Sequence, residues 1–292
     1  MTAPMIALVV LVIAATLAAP IAVGFILGVD RKVSASVQLR VGPPLLQPWY
    51  DLTKLAAKAS APVDRLAAGL VAAQAVVAGG ALAIVLAGGD LIVAVLVLGA
   101  ARVLYILAAG AVESPYAQLG TSRELILLLV TEPLLLLVVI AYGSLSGGFS
   151  AAAMNGGDPA VFALPTLGLT LGVLLAVALR KSPFDLATSH HAHQELVKGS
   201  TTELAGPWLA LAELGHWYEA AFILVLIALA AGGSPILAAG LVLATYLVAV
   251  IVDNTVPRGT WQAALALGWG LGGSAAVLAL VGSHLIGAGG LS

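Results

Sequence analysis

The sequence predicts an all-α integral membrane protein with about eight transmembrane helices and a short interfacial amphipathic helix in its first loop. Three observations lead to this fold class. Of the 292 residues, 61% are apolar and only 9% charged. Mean hydropathy is +1.10, more apolar surface than a soluble core could hide. The apolar residues also run continuously in stretches near 20, the length that crosses a bilayer as a helix, rather than alternating as in a β-barrel.

The runs fall at about 4–28, 66–88, 91–112, 124–143, 160–180, 208–231, 235–252 and 262–286, and the chain reads as one membrane domain over 1–292. The first lacks a basic leading region and is longer than a signal-peptide core, so it is expected to be a retained span. A polar loop follows, with Gly42, Pro43, Pro44 and Pro48 at its centre. After it, Trp49, Leu52, Leu55 and Ala56 recur on one helical face while Asp51, Lys54 and Lys58 lie elsewhere, which predicts the interfacial helix. Gly88-Gly89-Asp90 makes a tight turn between the second and third runs, and 144–159 reads as a plain connection.

Loops at about 30–65, 113–123, 180–207 and 253–261 hold eleven of the twelve basic residues; the opposite loops and both termini hold none. The positive-inside rule therefore places those four loops in the cytoplasm and both termini outside the inner (plasma) membrane. The chain has no basic arm or patch, so its expected partners are lipid and protein rather than nucleic acid. Cysteine is absent, which removes disulfides, thiolate zinc sites and iron–sulfur ligation. Any redox centre is expected in a partner subunit, and this chain is expected to bind no cofactor or metal.

Charge inside the spans is costly and marks function by default. Arg102 falls near the middle of the third run and calls for either an ion-pair partner on another helix or a wet cavity. Glu132 lies inside the fourth run, directly before Pro133, whose missing N–H frees a carbonyl one turn earlier and favours a kink; this points to ion conduction more than to scaffolding. The sixth run carries Glu213, His216 and Glu219 at steps of three, adjoining positions on one helix surface. A carboxylate–imidazole–carboxylate series suits proton handling, and a polar seam between helices is the alternative. The preceding loop holds Asp185, Glu195 and Glu203 and the cluster His190, His191 and His193. These histidines read as solvated or partner-facing groups, or as a proton route to a partner, more than as metal ligands.

Four segments resemble the complex I subunit 1 family: DRKVSASVQLRVGPPLLQPWYDLTKL, YAQLGTSRELILLLVTEPLLLL, KSPFDL and QELVKGSTTELAGPWLALAELGHW. That family comprises the membrane subunit that anchors the redox arm of respiratory complex I and of group 4 nickel–iron hydrogenases. The resemblance implies an eight-span core. It implies that Asp30, Arg31 and Arg40 stand at the mouth of the cavity facing the redox arm, that Glu132 belongs to a lateral proton path, and that Asp185, Glu195 and Glu203 lie on the loop lining that cavity. Asp51, Lys54, Arg123, His190, His191 and His193 are read with the partner interface. The short GPPLLQP connection, the HHAHQELVKG sequence, and His216 where complex I proteins carry a carboxylate are similar to the energy-converting (Ech- or CO-induced-type) hydrogenases. The expectation is thus a non-catalytic coupling subunit. Its partners would be hydrophilic large and small hydrogenase subunits, an antiporter-like membrane subunit and ferredoxin as electron donor. The nickel–iron centre and iron–sulfur clusters would lie in those partners, and the ion moved would be H⁺ or Na⁺. A quinone-site subunit of complex I and a purely structural anchor are the competing readings.

Overall fold

The structure, a computed structural model, describes residues 3–59, 63–186 and 199–289. The described residues are helical throughout, apart from turns and one isolated bridge between Asp90 and Ser150. In order they form α1 (Ala3–Val37), α2 (Gln47–Ala57), α3 (Arg65–Leu86), α4 (Leu91–Gly110), α5 (Pro115–Ser146), α6 (Ala151–Asn155), α7 (Ala160–Ala163), α8 (Leu167–Ala178), α9 (Gly206–Leu229), α10 (Pro235–Thr255), α11 (Trp261–Leu267) and α12 (Ser274–Gly289). A π-helical segment, Gly268–Gly273, joins the last two into one continuous span.

Seven helices among the described residues are long and apolar enough to cross a membrane. The run expected at 160–180 is instead divided into α7 and α8, with Pro165 between them. Proline lacks the N–H and disfavours helix in the residue before it, so the division sits where the chain requires it. Two other boundaries move for a common reason: helix continues past the apolar stretch. α1 extends through Asp30, Arg31 and Lys32 to Val37, and α5 begins at Pro115, so Arg123 is helical rather than in a loop.

Caps and turns set the other ends. Asp64 accepts from the Ala67 N–H at 2.9 Å, and Asp90 accepts from Ile92 and Val93 at 2.8 and 3.0 Å. Both satisfy amides left orphaned at a helix start. Gly88, at φ +75°, makes the tight α3–α4 turn a glycine can take without strain. The 144–159 connection is more than a tether: it carries α6 and hydrogen-bonds back to that turn, through Leu91 N–H to Phe149 O and Ala151 N–H to Gly89 O, both 2.8 Å.

The centre of the bundle is α3, α4, α5 and α9, whose facing residues include the buried Leu82, Leu98, Leu134, Tyr142, Phe222 and Leu226. Most of α1 and α10 faces outward. The amphipathic helix α2 lies across the basic end, where Trp49 meets Trp217 of α9 edge-to-face at 5.1 Å. At the same end Lys181, almost fully buried, bridges Asp30 of α1 (2.8 Å) and Asp253 of α10 (3.0 Å). That triad ties three helix ends together and leaves no bare charge at the contact.

Candidate functional site: a buried chain of charges

The intramembrane charges meet in the middle of the bundle. From α4, Arg102 reaches Glu132 of α5 at 2.8 Å and Glu219 of α9 at 2.6 Å through Nη2 and 2.9 Å through Nε; its Nη1 also donates to Thr131 at 2.8 Å. Arg102 is buried, and the flanking carboxylates expose 21% and 13% of their side chains. A guanidinium at this depth is tolerable only with such partners. Close helix approach makes the geometry possible: a Cβ at Gly99 would stand 2.7 Å from Glu132 Oε2.

From Glu219 the chain continues toward the basic end. Glu219 Oε2 lies 3.6 Å from His216 Nδ1, and His216 Nε2 lies 2.7 Å from Arg180 Nη2. Arg180 in turn pairs with Glu124 of α5 at 2.9 Å, and Ser200 Oγ–H reaches the same carboxylate at 3.5 Å. Tyr105 braces the middle. Its ring meets the His216 ring at right angles 4.6 Å away, lies 5.7 Å from the Arg180 guanidinium, and its hydroxyl bonds Ser200 at 2.9 Å.

Two features of this chain follow from elementary chemistry. Arginine only donates, and Arg180 Nη2 lies 2.7 Å from His216 Nε2 and 3.3 Å from Nδ1, so whichever of the two ring nitrogens is unprotonated is its acceptor. A second proton on His216 would displace Arg180. Arg180 also sits in the left-handed region, at φ +52°, in the turn that ends α8. Arg180 N–H bonds to Val177 O and Lys181 N–H to Ala176 O, the Schellman arrangement whose left-handed residue is usually glycine. An L side chain there costs about 1–2 kcal/mol, held in place by the contacts its guanidinium makes.

Beside the cluster is a cavity of about 40 Å³, lined among others by Gln74, Arg102, Thr131, Arg180, His216 and Glu219. Gln74 comes from α3 and packs on Gly215, where any side chain would fall on its amide. The cavity wall sets these polar groups among mostly apolar side chains, and its volume is enough for roughly three waters.

The expected site residues divide as follows. Glu132, His216 and Glu219 are brought together. Glu213, one turn from His216 and half-buried, stands in the field of Arg180 without joining the chain of contacts. Asp185 is buried beside the cavity, and its carbonyl accepts from Arg258 at 2.5 Å. Glu203 is exposed. Glu195, His190, His191 and His193 lie outside the described residues. Among the groups read as partner-facing, Asp30 is engaged by Lys181, Arg123 donates to Leu186 O at 2.9 Å, and Arg40 contacts Gln38. Lys54 is exposed. Arg31 and Asp51 pair at 2.7 Å at the exposed start of α2. Partial burial pushes the Asp51 carboxyl up, but hydrogen bonds from Arg31 and Gln47 and the charges of Arg31 and Lys54 outweigh it and hold it below its ordinary value.

The sequence reading missed Glu124, Tyr105 and Gln74, and counted Arg180 only as a loop charge. One signal was available for Glu124: it follows Arg123 at the entry to an apolar run, where a carboxylate needs a cation.

A family model described as NADH dehydrogenase matches residues 7–283. Hydrogenase-4 component C of Escherichia coli is 31% identical over 206 residues, 64% of each chain. Formate hydrogenlyase subunit 4 of the same organism is 27% identical over 209 residues, 64% of this chain and 66% of that one. The chain thus spans just under two thirds of the length of these relatives. The fold is similar to a chain of the membrane-bound sulfane sulfur reductase, an archaeal respiratory membrane complex, with a TM-score of 0.79, 23% identity, and coverage of 95% of this chain and 99% of that one. With nearly its whole length under the family model, this chain belongs to the NADH dehydrogenase family, that of complex I subunit 1.

Proposed function

We propose that this chain is the membrane-anchoring and coupling subunit of a group 4 nickel–iron hydrogenase complex in the plasma membrane. The basic end, with α2 and the 181–207 loop, faces the cytoplasm and docks the hydrophilic large and small subunits. These hold the nickel–iron centre and the iron–sulfur clusters and take electrons from ferredoxin. Without cysteine, this chain has no thiolate to offer those groups. An antiporter-like membrane subunit receives the ion signal on the other side of Glu132. The names of the two relatives, a hydrogenase-4 component and a formate hydrogenlyase subunit, support the hydrogenase reading.

The observation that carries the coupling role is the unbroken series Ser200, Glu124, Arg180, His216, Glu219, Arg102 and Glu132, running from the polar end to mid-bundle. A change of charge or shape at the docked loop reaches Ser200 and Arg180 first. If Arg180 withdraws, the ring nitrogen it faced on His216 is free to take a proton, and the imidazolium then competes with Arg102 for Glu219. Arg102 shifts its weight to Glu132, so a redox event at one end alters the charge balance of a carboxylate near the membrane centre.

Glu132→Gln tests this. In the complex reconstituted into vesicles, the variant should assemble with normal nickel content yet lose redox-driven ion uptake. Full uptake with normal assembly would sink the coupling role and leave a structural anchor. Quinone reduction by a purified complex lacking nickel would transfer the chain to the complex I reading.

A further inference from the structure

The series of contacts contains two links that no proton can cross. Arg102 stands between Glu219 and Glu132, and Arg180 between Glu124 and His216. A guanidinium is never deprotonated in a protein, so neither can accept and pass on a proton. If the proposed coupling moves protons through this cluster, and the present inference rests on that reading, the route must pass beside the arginines.

The cavity lies where such a bypass is needed, because both arginines, His216 and Glu219 line it. Gln74 Oε1 and Arg102 Nη2 are wall atoms without a hydrogen-bond partner among the described residues. Gln74 Oε1 is an acceptor on a side chain that is 97% buried, the residue exposing 3% of its surface. Arg102 Nη2 is a donor; it touches Glu219 at 2.6 Å but off the direction of a hydrogen bond. A buried polar atom left bare is costly, and native proteins answer that with bound water. A water can accept from Arg102 Nη2 and donate to Gln74 Oε1, so the two unmet needs are complementary.

We propose that Gln74 holds a site for ordered water, and that this water carries protons around Arg102 between the His216–Glu219 pair and Glu132. The same surroundings choose the ligand. A sodium ion needs several oxygens that are not already committed and no competing cation. Here Glu124 and Glu219, which line the cavity, are each paired with a guanidinium, and both arginines line it as well. A neutral molecule that both donates and accepts fits; a metal cation is repelled. The cluster is therefore a hydrated proton segment with no place for Na⁺. Gly215 belongs to the same device, since the Gln74 amide occupies the volume a side chain would fill.

The test uses the intact complex in vesicles, comparing wild type with Gln74→Leu and Gln74→Glu. Leucine keeps most of the volume and removes the acceptor; glutamate keeps an oxygen in place. The expected result is that Gln74→Leu assembles with full nickel content but translocates protons about tenfold or more slowly. Gln74→Glu should retain translocation with a displaced pH profile, and added Na⁺ should change nothing in wild type. A high-resolution structure of the complex should show water within hydrogen-bond distance of both Gln74 Oε1 and Arg102 Nη2, a readout that stands even if Gln74→Leu fails to assemble. Wild-type translocation in Gln74→Leu, no water at that position, or Na⁺-dependent uptake abolished by the variant would each overturn the proposal. Glu132→Gln separates the two levels. If it stops uptake while Gln74→Leu does not, the water site is wrong and the coupling reading stands. If neither stops uptake, both fall.

Discussion

Replacing Arg102 by methionine is the sharpest test of what holds the cluster together. The substitution keeps a long, unbranched side chain in the same space while removing the cation. It deletes contacts to Glu219 at 2.6 and 2.9 Å, to Glu132 at 2.8 Å and to Thr131 at 2.8 Å. The two carboxylates, with 21% and 13% of their side chains exposed, are then left facing each other without their counter-ion. Breaking a buried pair from one side costs about 3–5 kcal/mol, chiefly because a charge stays behind unpaired. Removing all three charges together, in Arg102→Met/Glu132→Gln/Glu219→Gln, leaves nothing unpaired, and most of that loss should return. Denaturant titration of the purified complex in detergent, following release of this subunit, measures both variants. A deficit of at least about 3 kcal/mol for the single variant corresponds to roughly two powers of ten in the equilibrium constant. A deficit below about 1 kcal/mol, or a triple variant no more stable than the single, would refute the argument that pairing, rather than water at the charges, makes this site tolerable. The triple variant should also be inactive in ion uptake, which separates stability from coupling.

Two smaller perturbations probe the approach of α4 to α5 and the docking end. Gly99→Ala puts a methyl 2.7 Å from Glu132 Oε2, so the carboxylate must shift; a loss of about 1–3 kcal/mol is expected, with ion uptake falling more than assembly, and unchanged uptake would show that Glu132 has room to spare. At α2, Asp51 carries a lowered folded-state pKa, so its contribution is present above the ordinary carboxylate range, near 3.9, and fades as pH falls through the lower folded value. Both partners are nearly half exposed, which keeps the contribution below about 1 kcal/mol. Amide exchange in α2 should therefore quicken only below about pH 4, and Asp51→Asn should remove that pH dependence; a change between pH 5 and 8 would implicate another group.

The parts of this molecule readable from sequence are those fixed by solvent and local chemistry. Long apolar runs must be helices in a bilayer, and Gly88-Gly89-Asp90 must be a turn because a left-handed glycine and an aspartate cap leave little else. Arg102 was legible in part: an intramembrane guanidinium calls for an ion-pair partner or a wet cavity, and the structure supplies the first as Glu132 and Glu219. The rest depends on tertiary contact. Arg180 stands where the helix-ending pattern favours glycine, so no local rule predicts its left-handed turn; the pull of Glu124 and His216 holds it there. Gln74 is one amide in an apolar helix, and only its neighbours make its oxygen an orphan. Both misses share a cause. A local rule records what a residue prefers alone, whereas these two residues hold conformations or unmet hydrogen bonds that cost free energy alone and are kept by the cluster as a whole. Departures from local preference are thus a guide to this site that residue type alone does not supply.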